Sequence, residues 1–201
     1  LLCDLFAFLR EDFMKNIQRL SIAAGFALAS VAAVAAPIQY EVTTIGSGSL
    51  NGVAFSSKKV TITATADTAS ITTEGQTLYV PVLSSTLLID GFEATTFVGT
   101  HRVFNNKTVA IAGFQRGPTD ARDILDVRNS AFSSYNLSTS IGPLAGSTLG
   151  NGGALFTTAA GNFALTSFGS GTFTAAAVPE PATMATLAIG AALVARRRRR
   201  S

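Results

Sequence analysis

Val60-Thr61-Ile62-Thr63-Ala64-Thr65-Ala66 sets threonine at every second position and an apolar residue between. Successive side chains of a strand point to opposite faces, so this period of two predicts a strand with one buried and one wetted face. Looser alternation runs through residues 76–82, 85–89, 93–98 and 163–167, and residues 171–175 predict a last strand. Residues 100–104 and 107–111 flank Asn105-Asn106, which predicts a two-residue hairpin turn because asparagine tolerates positive φ. Residues 118–127 predict one or two helical turns with Thr119 as N-cap, and Asn151-Gly152-Gly153 predicts a turn. Long helical periodicity is missing between Pro37 and Val178. Short strands spaced about ten residues apart predict an all-β domain over residues 36–177, either an antiparallel β-sandwich or an open barrel.

Composition narrows what such a domain does. The chain has 201 residues, 47% hydrophobic and 13% charged, against about 25% charged in an average soluble domain. Its formal charge of +3 is misleading, because Arg196, Arg197, Arg198, Arg199 and Arg200 sit together at the end. Between Pro37 and Val178 there are seven Lys and Arg against eight Asp and Glu. The body is near neutral and lacks the basic footprint that nucleic acid requires.

Both ends read as trafficking segments. From Met14, Lys15 and Arg19 supply a positive start and residues 20–34 form an apolar and small-residue run. Ala33-Val34-Ala35 then offers small side chains to a signal peptidase, so residues 14–35 predict a helical signal peptide. Cleavage is expected after Ala35; cleavage after Ala36 would place Pro37 just beyond the scissile bond. A membrane anchor or buried helix is the competing reading. Residues 1–13 read as translated upstream sequence, and they hold Cys3, the only cysteine. The mature body would then have neither disulfide nor thiol nucleophile.

At the other end, Val178-Pro179-Glu180-Pro181 precedes the apolar residues 182–195 and the arginine cluster. Fourteen helical residues span about 21 Å, less than the roughly 30 Å hydrocarbon core of a bilayer. Snorkelling arginines extend that reach and hold their end on the cytoplasmic side, which predicts a short transmembrane helix with the arginines as membrane stop. Hydropathy alone equally allows an interfacial or buried helix. The order Pro-Glu-Pro, short apolar helix, arginine cluster resembles the PEP-CTERM sorting signal of exported proteins in exopolysaccharide-producing Gram-negative bacteria, across residues 178–201. The resemblance implies recognition of Pro179, Glu180 and Pro181 by an exosortase, a transpeptidase-like cysteine enzyme of the membrane. It also implies inner-membrane anchoring before processing and a surface or matrix location afterwards. Met184 stands where an aromatic is commoner in such tags. The stretches Gly48-Ser49-Leu50-Asn51-Gly52-Val53-Ala54-Phe55 and Tyr135-Asn136-Leu137-Ser138-Thr139-Ser140-Ile141-Gly142-Pro143 resemble a recurring ectodomain of PEP-CTERM proteins that has no assigned activity.

Chemistry-bearing residues are sparse. His101 is the only histidine, no Gly-x-Ser-x-Gly elbow occurs, and a strand histidine is the plainer reading. Asp120, Asp123 and Asp126 at intervals of three would share a helix face and could hold Ca²⁺. Arg122 and Arg128 interleave, however, and favour a solvated turn with local ion pairs. Asp90 and Glu93 flank Gly91, where paired carboxylates could serve a glycosidase only at the right separation. Tryptophan is absent, leaving Tyr40, Tyr79 and Tyr135 beside a set of phenylalanines that read as core. No catalytic residue, metal site or cofactor is predicted. The expectation is a non-enzymatic surface or matrix protein, associated with exopolysaccharide and not with nucleic acid. The alternatives are a hydrolase acting on matrix glycans through acidic residues, and a tag that is never removed.

Overall fold

The computed structural model describes residues 37–179, residue 121 excepted. Ten strands run through them in order: β1 (Ile38–Leu50), β2 (Val53–Ala66), β3 (Thr72–Glu74), β4 (Thr77–Ile89), β5 (His101–Asn106), β6 (Ile111–Arg116), β7 (Asp123–Arg128), β8 (Ile141–Leu149), β9 (Phe156–Thr158) and β10 (Gly161–Ala177). Every pairing is antiparallel, and the hydrogen-bonded order is β1-β2-β4-β5-β6-β7-β8-β10, with β10 returning to β1. The short strands β3 and β9 hang on β4 and β10.

This is a closed barrel, which corrects the expectation of a sandwich or open barrel. Closure is made by β1, which pairs with β2 on one edge and with β10 on the other, from Ile38↔Ala177 to Leu50↔Phe163. Glycine makes the β1–β10 approach possible. A Cβ on Gly48 would lie 2.0 Å from the Ala164 carbonyl oxygen, so no side chain fits there. Closing the sheet also removes the exposed edges that an open sheet must protect.

Alternation along β1 and β2 sends Ile38, Tyr40, Val42, Val60, Ile62, Ala64 and Ala66 inward. Two aromatic groups fill the ends. At the end where β1 begins and β10 finishes, residues 129–139 fold into the mouth as a plug. Phe132 meets Phe173 edge-on at 5.2 Å, and Tyr135 meets the same ring at 6.1 Å. The plug is tied by Tyr40, whose hydroxyl donates to the Leu137 carbonyl, and by Asn105 Nδ2, which donates to the Phe132 and Tyr135 carbonyls at 3.0 and 2.7 Å. At the opposite end Phe55, Phe97 and Phe163 pack together, with Phe92 against Phe55.

Three local expectations change. The β5–β6 turn is made by residues 107–110, not by Asn105-Asn106. Asn106 Oδ1 accepts from the Thr108 and Val109 amides, while Asn105 turns inward to the plug. Residues 123–128 form β7 instead of helix, because they pair with β6 on one side and β8 on the other. The strands expected at 76–82 and 85–89 are one strand, β4, whose register against β2 shifts by one residue between Ala66↔Val82 and Thr65↔Ser84.

The flanking helices are also corrected. Among the described residues the helical pieces are the 3-10 turns Thr68–Ser70 and Ser130–Ser133, and no helix is long and apolar enough to cross a membrane. The expected signal and transmembrane helices, residues 14–35 and 182–195, lie outside the described residues. Physically, a run of fourteen residues falls about a third short of a bilayer core. A transmembrane helix, a membrane partner and inner-membrane anchoring therefore find no support in this fold.

Candidate functional site

β10 carries its ladder to the last residue before the Pro-Glu-Pro motif. Ala177 pairs with Ile38, and the Val178 amide donates to the Pro37 carbonyl at 2.8 Å. The Ala177 amide donates to Ser140 Oγ at 3.1 Å, so the residue just before β8 also braces this end. Pro179, the next residue, is exposed. Proline has no amide proton to continue a ladder and disfavours helix in the residue before it. The folded barrel thus stops one residue before the motif. Its entry and exit lie side by side at the plugged end.

Among the expected sorting residues, Pro179 is placed in this way. Glu180, Pro181, Arg196, Arg197, Arg198, Arg199 and Arg200 lie outside the described residues, as do Ala33, Ala35 and Ala36 of the signal peptidase site.

The candidate acidic residues fall in three settings: the turn after β4, the Asp120 turn and strand β7. Asp90 and Glu93 are exposed on the turn after β4, where the Asp90 amide donates to the Lys59 carbonyl. Asp120 is held between two guanidiniums, accepting from Arg122 Nε and Nη2 at 2.7 and 2.6 Å and from Arg116 Nη1 at 3.1 Å. The hydrogen bond from Arg122 is the main cause that keeps this carboxyl below the usual range. That is the solvated ion-paired turn, not a calcium face.

Asp123 and Asp126 lie on β7, opposite Gln115 and Gly113 of β6. Burial raises both above the usual carboxylate range; Gln115, donating at 3.0 Å, opposes the rise at Asp123. Asp126 is 2% exposed and its Oδ1 has no hydrogen-bond partner. Burial, then the charge of Asp123, pushes Asp126 up to about 7, with Arg128 acting against them. Nothing in the spacing of the three aspartates shows this burial. Among the described residues no group of three His, Cys, Asp or Glu could hold a metal ion.

His101 starts β5, pairs with Arg116 and is 6% exposed. Its Nδ1 lies 3.0 Å from the Gly99 carbonyl and its ring packs on Phe97 with centroids 5.3 Å apart. Burial lowers its pKa, the Gly99 carbonyl opposes that, and Arg116 adds to it, so the ring is neutral near pH 7. Tyr40 and Tyr135 are core residues, and Tyr79 is covered by Arg102, whose guanidinium carbon sits 3.7 Å from the ring centre.

Hydroxyl groups, by contrast, are arrayed in register on the outer face. One row across the barrel runs Thr174, Glu41, Thr63, Thr86, three hydroxyls around a carboxylate, and the next begins Thr172, Thr43, Thr61. Thr43 Oγ1 and Thr61 Oγ1 are 3.3 Å apart.

The chain matches the family model of the PEP-CTERM protein-sorting motif over residues 177–200. Neither a curated protein nor a solved structure gives a match to the chain. A PEP-CTERM sorting motif is therefore present near the C-terminus. It implies interaction with an exosortase, and with the β-barrel it fits an exported, sorted protein.

Proposed function

We propose that the sorting motif delivers a non-enzymatic β-barrel to the cell surface or extracellular matrix, where its hydroxyl-lined outer face associates with exopolysaccharide. The position of the motif carries this reading. Pro179 stands one residue beyond the last backbone bond of the barrel, that of Val178 to Pro37. Cutting near Pro179, Glu180 and Pro181 removes no strand pair. An exosortase would release the whole barrel, and a signal peptidase acting after Ala35 would leave one residue, Ala36, ahead of Pro37.

The threonine rows support the polysaccharide part. Hydroxyls in register, with Glu41 the one carboxylate in the rows named, offer paired donors and acceptors, which suits a polyhydroxyl chain. The acidic residues speak for a non-enzymatic role by where they lie. Asp90 and Glu93 face solvent on a turn, Asp120 is neutralised by arginines, and Asp126 is buried on β7. Glycoside hydrolysis by paired carboxylates sets two carboxyl groups across one glycosidic bond, which a buried Asp126 and an arginine-bound Asp120 do not offer.

Replacing Pro179, Glu180 and Pro181 with alanine in the producing bacterium is expected to deplete the surface fraction and leave a cell-retained chain that still bears the arginine cluster. The quantity to follow is the surface-to-cell ratio by immunoblot. An unchanged ratio would refute the sorting role.

A further inference from the structure

The barrel wall opens in an eyelet between β4 and the segment before β5. Leu87 and Thr95 exchange both backbone hydrogen bonds, at 2.7 and 2.9 Å. The next pair of that register, Ser85 and Phe97, exchanges none. At the far side β4 and β5 close again at Pro81↔Arg102. Between these closures the strands part around a notch of about 250 Å³, lined among others by Leu83, Ser84, Ser85, Thr96, Phe97 and His101. The register shift of β4 at Leu83 lies in its wall, and Gly99, at φ +95°, turns the opposite wall away.

The unspent polar groups of the notch are directional. Strand geometry turns N–H and C=O of alternate residues to the same side. Since Leu87 spends both on Thr95, Ser85 presents both to the notch. Thr96 accepts from Ala159 and Val98 donates to Thr157, so Phe97 between them faces its own two groups toward β4. The hydroxyls of Ser84, Ser85 and Thr96 have no hydrogen bond within the described chain, and His101 spends Nδ1 on Gly99, leaving Nε2 as an acceptor. The Phe97 and His101 rings supply an apolar base, and no carboxylate, lysine or arginine is in the lining.

We propose that this eyelet is a binding subsite for one neutral pyranose ring of a polysaccharide. The mixed donors and acceptors match ring hydroxyls, the apolar base matches a sugar's C–H face, and the absence of charge in the lining disfavours ions. Backbone closure at both ends excludes an added peptide strand, which needs an open edge. The volume falls below that of sites for drug-sized ligands and fits a single ring. This inference rests on the polysaccharide-association reading above.

His101, as the only histidine, gives one set of imidazole signals. The full chain should be titrated with methyl pyranosides of glucose, galactose, mannose and N-acetylglucosamine while those signals and the Ser85 and Phe97 amides are followed by NMR. At least one sugar is expected to shift them saturably. Thr96→Ala, at an exposed position, should weaken that sugar about threefold, and His101→Phe about tenfold, as the loss of one hydrogen bond does. No saturable shift with any of the four overturns the subsite, as does an equal response in both variants. A run with intact exopolysaccharide separates the two ideas. Retention of polysaccharide with His101 signals unmoved removes the subsite and keeps the association. A sugar-induced shift without polysaccharide retention keeps the subsite and removes the association.

Discussion

Gly48→Val is expected to prevent the barrel from closing and to leave a chain that does not fold cooperatively. The first side-chain carbon would sit 2.0 Å from the Ala164 carbonyl oxygen and 3.0 Å from the Phe55 ring. Carbon and oxygen need more than 3 Å, and the atom in the way is backbone, so relief requires β1 and β10 to separate. That seam is paired from Ile38↔Ala177 to Leu50↔Phe163. Losing it exposes two long edges and drains the core between them. The cost should exceed about 4 kcal/mol, at the upper end of single substitutions. Gly152→Ala is the control, because a Cβ there meets nothing within 4 Å. Circular dichroism and urea unfolding of both variants give the answer. A cooperative, native-like Gly48→Val would mean the β1–β10 pairing is not what holds the barrel shut.

Asp126→Asn is expected to stabilise the barrel at pH 8 and to do nothing below pH 4. The Asp126 carboxyl is pushed up to about 7 in the folded chain, first by burial and then by Asp123, against an ordinary value of 3.8. The folded state therefore holds a proton that the unfolded state has released between these values. Stability from the neutral acid is fully present below pH 4, is lost as pH rises, and is gone above about 7. The span corresponds to on the order of 4 kcal/mol of destabilisation at pH 8. Asparagine keeps the shape without the charge, so the variant should gain much of that. Urea midpoints of both chains from pH 4 to 8 should diverge steadily. A difference that is constant with pH would show that the carboxyl is not buried as a neutral acid.

The sequence disclosed what is local and hid what is long-range. The clean alternation of residues 60–66 predicted β2 because its outer face is wet and its inner face dry. Residues 123–128 were opaque for the opposite reason: Ile124, Leu125, Asp126 and Val127 are all buried, so no two-residue rhythm survives. The choice between sandwich and barrel turns on whether the first and last strands meet, a contact across more than a hundred residues that no local pattern records. Asn105 has the composition of a turn, yet its partners Phe132 and Tyr135 lie 27 and 30 residues away.

The site divides in the same way. The Pro-Glu-Pro motif is contiguous and was legible at once. Its adjacency to Pro37 was not, because the hydrogen bond joins opposite ends of the domain. The eyelet left one trace: the inward series Leu78 and Val80 resumes out of step at Leu87 and Ile89, after Leu83. That break separated two expected strands and marks where β4 leaves its neighbour.

On the proposed reading the chain is a sorted precursor cut at the boundary of a complete barrel. Intact-mass measurement with sequencing of both termini, on protein recovered from the surface fraction of the producing bacterium, tests it most directly. A chain that begins at Ala36 and ends between Pro179 and Pro181 is the expected product. A surface chain still ending in Arg196 to Ser201 would contradict that reading.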